Sequence, residues 1–142
     1  MRDDNCIFCK ILNGEIPSIR LYEDGKTFAF MDINPANPGH ALVIPKYHAA
    51  NLLDIPAEWL TATTVTAQNV AKAVQKALAP DGINLLQANG PGAAQSVLHF
   101  HIHILPRRNE DGLKMNWGLI PGDMDEISSL AEKIQKALPN SM

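Results

Sequence analysis

No stretch of this 142-residue chain approaches the roughly 18 consecutive apolar residues of a membrane-spanning helix. Cysteine is scarce: two residues, too few for the disulfide framework that staples small secreted domains. Charge is modest at 19%, and 12 basic against 15 acidic residues leave a net −3 with histidine neutral. That balance excludes the clustered positive surface of a protein that wraps nucleic acid, though not a small anionic ligand held by a few local donors. Internal repeats and low-complexity segments are missing as well. The opening Met1-Arg2-Asp3-Asp4-Asn5 is too acidic and too polar for a secretory signal. These absences predict a soluble cytoplasmic protein with reduced thiols. Its 46% hydrophobic content is enough for one core, read as one domain over residues 1–142.

What is present has clear periodicity. Asp24-Gly25-Lys26, between Ile19-Arg20-Leu21-Tyr22-Glu23 and Thr27-Phe28-Ala29-Phe30-Met31, predicts a β-hairpin. Asn34-Pro35-Ala36-Asn37-Pro38-Gly39 reads as a loop launching a strand over His40-Ala41-Leu42-Val43-Ile44, ended by Pro45. From residue 56 to about 78, Trp59, Val70, Val74, Ala77 and Leu78 recur at helical spacing. This predicts a long central helix with Pro56 in its first turn. Ile83-Asn84-Leu85-Leu86-Gln87-Ala88 is a further strand, and a loop of small residues leads from Asn89 to Ser96. A strand over residues 97–105 follows, ended by Pro106. Ile127, Leu130, Ile134, Ala137 and Leu138 predict a C-terminal amphipathic helix beginning near Asp123. Cys6-Ile7-Phe8-Cys9-Lys10-Ile11-Leu12 is a short helix or a structured arm. The expected class is α+β: an antiparallel sheet with a long central helix and a C-terminal helix.

Three of the five histidines fall in His99-Phe100-His101-Ile102-His103. Alternation along a strand puts the three imidazoles on one face and Phe100, Ile102 and Ile104 on the other. One metal ion cannot take all three, because His99 and His103 would lie on the order of 13 Å apart at the backbone. At least one imidazole is therefore left for nucleophilic or acid–base work, which a neutral ring does well near pH 7.

This string resembles the signature of the histidine triad (HIT) superfamily of nucleotide hydrolases and transferases. The resemblance extends to Cys6-Ile7-Phe8-Cys9-Lys10-Ile11, Ala29-Phe30-Met31-Asp32-Ile33-Asn34-Pro35, Gly39-His40-Ala41-Leu42-Val43-Ile44-Pro45-Lys46-Tyr47-His48 and Gln95-Ser96-Val97, in family order. It implies a HIT-like fold and cleavage at the α-phosphate of purine nucleoside phosphoramidates or dinucleoside polyphosphates. The intermediate would be a covalent nucleotidyl-histidine at His101, formed without a catalytic metal. A backbone carbonyl on the adjacent strand is expected to tether His101, while His103 contacts the α-phosphate. Gln95 and Ser96 would donate to phosphate or leaving-group oxygens, or simply form a polar loop end. Alanine stands at position 94, where the family commonly has glycine. Asp32 resembles the ribose-binding acid, although beside Asn34-Pro35 it also suits a turn. Phe8, Ile16, Phe30 and Ile33 would form a base slot or core, with Asn89 near the ribose or phosphates. His40 would support the triad, or cap a strand.

A lone Cys-x-x-Cys supplies at most half of a tetrahedral zinc site. By similarity to some bacterial members, the structural zinc ligands would be Cys6, Cys9, His48 and His99; two buried reduced thiols are the plainer reading. The family commonly forms homodimers, and here the helix near residues 56–78 with the strand near 83–88 is the candidate surface. Residues 113–122, with Met115, Trp117 and Leu119, lie over a pocket or at a dimer seam. A non-catalytic purine-nucleotide-binding or scaffold protein of the same fold, and a zinc-binding module, are the competing functions.

Overall fold

Asp24 closes the first hairpin: its Oδ1 accepts from the backbone N–H groups of Lys26 and Thr27, both at 2.8 Å. The turn joins strand β1 (Arg20–Glu23) to β2 (Thr27–Met31), and β2 pairs along its length with β3 (Ala41–Pro45). In this computed structural model, which describes residues 3–115 and 117–140, β4 (Gly82–Leu86) and β5 (Ile102–Arg107) complete the sheet. All pairings are antiparallel, in the order β1-β2-β3-β5-β4.

Helix α2 (Ala57–Leu78) crosses one face, with Thr66, Ala67, Val70 and Val74 buried against the sheet. Ala29, Ala41, Val43, Phe100, Ile102 and Ile104 meet it there. A hydroxyl pair, Thr27–Thr66 at 2.8 Å, satisfies the polar atoms inside that contact. On the opposite face, alternate residues of β2 and β3 (Phe28, Phe30, Leu42, Ile44) pack on Phe8 and Cys9 of a short N-terminal helix, α1 (Ile7–Leu12), and on its N-cap Cys6. Both faces of β3 are covered, so all five of its residues are buried. Helix α3 (Met124–Ala137) is capped by the Asp123 side chain, and every one of its residues is exposed. No helix among the described residues is long and apolar enough to cross a membrane.

Three local expectations need correction. Regular pairing in the histidine segment begins at Ile102, not at residue 97. Its neighbour in the sheet reaches Pro45, which has no N–H to donate, and Phe100 instead donates to the Ala49 carbonyl at 2.7 Å. Pro106 does not end the strand, which runs on through Arg107. Pro56 is the N-cap of α2 and precedes its first turn.

Candidate active site and metal centre

The alternation of the histidine segment holds even where the ladder does not. Phe100, Ile102 and Ile104 join the α2 side of the sheet, while the imidazoles face the α1 side. His99 and His101 are buried and His103 is partly buried.

His101 is held by its own chain. Its Nδ1 lies 2.7 Å from the carbonyl of His99, two residues back, so the N–H donates there and Nε2 keeps the lone pair. The tether expected from an adjacent strand is thus supplied within the segment. It is possible because the segment has left the ladder. The rings of His101 and His103 stand 4.9 Å apart in a T-shaped contact.

A second chain of contacts orders His103. The Ala36 N–H donates to His40 Nδ1 at 3.0 Å, which puts the proton of a neutral His40 on Nε2. That nitrogen is 2.9 Å from His103 Nδ1 and 3.6 Å from Asp32 Oδ2. His103 Nδ1 accepts, so its own proton sits on Nε2. Asp32, His40 and His103 bring their donor atoms within 4.8 Å of one another. The 2.9 Å between the two ring nitrogens is hydrogen-bond length, shorter than the about 3.4 Å that separates two nitrogens on one zinc ion. Burial lowers the pKa of His40, of His101 and of His103, the last to about 4, and all three rings are neutral at pH 7.

The first triad histidine serves another cluster. His99 Nδ1 lies 3.3 Å from Cys6 Sγ, 3.6 Å from Cys9 Sγ and 3.2 Å from His48 Nδ1, and His48 Nδ1 is 3.4 Å from Cys9 Sγ. Zinc bonds of about 2.0–2.1 Å to nitrogen and 2.3 Å to sulfur would put tetrahedral nitrogen pairs about 3.4 Å apart and nitrogen–sulfur pairs about 3.6 Å apart. The donor set fits a two-sulfur, two-nitrogen zinc site. His99 Nε2 donates to the Pro45 carbonyl at 2.9 Å, which leaves Nδ1 as the ligating nitrogen. His48 Nε2 faces Asp3 at 3.7 Å. Burial pushes the Cys6 thiol up to about 11, a preference that a bound cation would reverse.

The remaining candidates are spread around these two centres. Gln95 is engaged in its own loop: its amide donates to the Ala50 and Val97 carbonyls, and its Oε1 accepts from the Gly90 N–H. Ser96 is exposed beside it. Phe8 and Phe30 are buried against each other, ring centroids 5.5 Å apart. Ile33 is 80% exposed and Ile16 partly buried. The Asn89 side-chain Oδ1 accepts from Leu52 N–H and from the Gln87 amide. Asp32 also builds the expected turn, accepting from Asn34 N–H at 2.8 Å. Sequence reasoning missed the Pro45 carbonyl, the Asp3 carboxylate and the Ala36 N–H. Two are backbone groups with no side-chain signal, and Asp3 lay in a stretch read only for its charge.

A HIT domain family model matches residues 13–110. The adenosine 5'-monophosphoramidase of Saccharomyces cerevisiae is 45% identical over 140 residues, 98% of this chain and 86% of the yeast protein. A crystal structure of a HIT family member from Bacillus subtilis aligns with a TM-score of 0.90 at 38% identity, covering 97% of this chain and 100% of that one. A zinc-bound histidine triad family protein from Mycobacterium smegmatis gives 0.73 at 36% identity, over 94% of this chain and 97% of that one. With the match running through the histidine segment and nearly the whole chain aligned, this protein belongs to the HIT family.

Proposed function

We propose that the protein is a nucleotide hydrolase or nucleotidyl transferase that cleaves purine nucleoside phosphoramidates, and dinucleoside polyphosphates by the same route, at the α-phosphate. The observation that carries the reading is the 2.7 Å contact from His101 Nδ1 to the His99 carbonyl, which leaves Nε2 as a neutral nucleophile. In the first step Nε2 bonds to the α-phosphorus, the bond to the leaving nitrogen breaks, and that nitrogen takes a proton. The proton comes from solvent, while His103, its single proton on Nε2, stays neutral and donates a hydrogen bond to the developing charge. Water or another acceptor then attacks the nucleotidyl-His101, and the ring returns to its starting state. His40 keeps His103 in the donating tautomer. Ser96 and Gln95 border the phosphate, Gln95 chiefly by holding the loop. Asp32 receives the ribose hydroxyls, with Ile33, Ile16 and Asn89 around the nucleoside and Phe8 and Phe30 behind it. The yeast relative, itself an adenosine 5'-monophosphoramidase, supports this substrate class.

Cys6, Cys9, His48 and His99 would hold one zinc ion, whose chemistry is structural: four protein ligands leave no position for substrate. The whole chain is read as one cytoplasmic domain that pairs into a homodimer and engages neither nucleic acid nor membrane. His101→Ala should cut turnover of an adenosine phosphoramidate by about 10³-fold or more while leaving nucleotide affinity nearly intact. Equal rates in the two proteins would instead make this a nucleotide-binding scaffold.

A further inference from the structure

We propose that the Cys6–Cys9–His48–His99 cluster positions the nucleophile, so that closing the cluster sets the geometry of His101. The inference rests on the zinc reading above. Two separate paths lead from the cluster to one ring. The first is His99 itself. Its ring, fully buried, is held at Nδ1 by the cluster and at Nε2 by the Pro45 carbonyl, while its own carbonyl holds His101 Nδ1 at 2.7 Å. With both ring nitrogens engaged, the residue has little freedom to swing its peptide group, and the direction of that carbonyl is fixed with it. The second path is Phe8, which stands between the two cysteines in the chain. The Cys6 Sγ accepts the Cys9 N–H and caps α1. From that turn the Phe8 ring packs edge-on against His101 at 5.2 Å and against His99 at 5.9 Å.

His103, His40 and Asp32 are ordered by a different set of bonds, which the cluster does not enter. Opening the cluster should therefore impair the step that His101 performs more than the contacts made by those three residues. Cys6, Cys9 and His48 are positioning residues in this account.

The test compares wild type, wild type stripped by a zinc chelator, Cys9→Ser, and His48→Cys, which keeps a four-ligand set of three sulfurs and one nitrogen. Four quantities are measured on each: zinc content, circular dichroism, kcat and KM on an adenosine phosphoramidate, and the ring nitrogen shifts of His101 by NMR at pH 7.5. Stripped protein and Cys9→Ser should lose at least about tenfold in kcat with KM within about threefold, and the Nδ1–H signature of His101 should give way to mixed tautomers. His48→Cys, still carrying zinc, should keep that signature and most of kcat. Stoichiometric zinc whose removal leaves kcat and the His101 shifts unchanged in folded protein overturns the inference and leaves the zinc reading standing. Absence of zinc from the purified protein, with no response to chelator, overturns both. Should Cys9→Ser not fold, the partially stripped wild type decides: kcat and the tautomer signature must fall in step with zinc content, and a kcat that does not track zinc rejects the coupling.

Discussion

At neutral pH the proposed chemistry depends on rings that carry no charge, and burial keeps them so. His103 titrates near 4, and burial depresses His40 and His101 as well. In the unfolded chain these imidazoles take up protons near pH 6.5. The unfolded state thus binds more protons than the folded one between about pH 6.5 and 4. Stability should be fully present above that window and fall as the pH drops through it, read as a declining Tm. The acid limb of kcat should likewise lie below pH 6.5, and a limb at or above 6.5 would mean the rings are solvated. Gly39 is a second residue whose identity matters: its φ is +93°, and a Cβ there would meet Leu78 Cδ1 at 2.5 Å. Gly39→Ala should cost about 1–3 kcal/mol in urea unfolding, combining left-handed strain with the displaced leucine. At this scale side-chain identities were legible in the sequence, since His99, His101 and His103 each stand where alternation put them. Tautomers were not, because they are set by the carbonyls of His99 and Pro45 and the N–H of Ala36, which every residue possesses.

Among the elements, the hairpin, the long helix and the C-terminal helix were all readable from turn chemistry and period. The histidine strand was readable in its facing but not in its pairing. Period-2 alternation reports which side a residue faces, whereas ladder hydrogen bonds depend on the partner, here a proline. The end of α2 shows another long-range effect. Its C-cap Ala79 is left-handed, and the Arg108 guanidinium, far along the chain, donates to the carbonyls of Leu78 and Ala79 at 2.7 Å each. Arg108→Ala should lower stability by about 1 kcal/mol in denaturant titration, by freeing those carbonyls and removing a cation from the helix terminus. A change below a few tenths would mean that water replaces the guanidinium without loss. No local pattern announced this cap, since the arginine lies just past the end of β5, the strand that returns beside the helix.

For the whole molecule, the sheet separates two kinds of work, with α2 supplying most of the core on one face and both histidine clusters on the other. The order of strands leaves β4 at an edge, with Leu85 49% exposed. Helix α3 and its C-cap show a stripe of Ile127, Leu130, Ile134 and Leu138 to solvent. The proposed homodimer would cover surfaces of this kind, and light scattering should then return twice the 15.5 kDa of one chain. Leu85→Lys should shift the mass toward that of a monomer; a wild-type protein already at 15.5 kDa would remove the dimer from the account. The strand near 83–88 already belonged to the candidate surface read from sequence, but its place at the sheet edge was not legible, because edge position is a property of topology. The parting of β3 and β5 at Pro45 also sets robustness against turnover. Giving that position an amide hydrogen would let the two strands zip further and would strengthen the scaffold. The same change would draw the Pro45 carbonyl away from the His99 ring, whose own carbonyl tethers the nucleophile, so a hardier protein obtained this way should be a slower one.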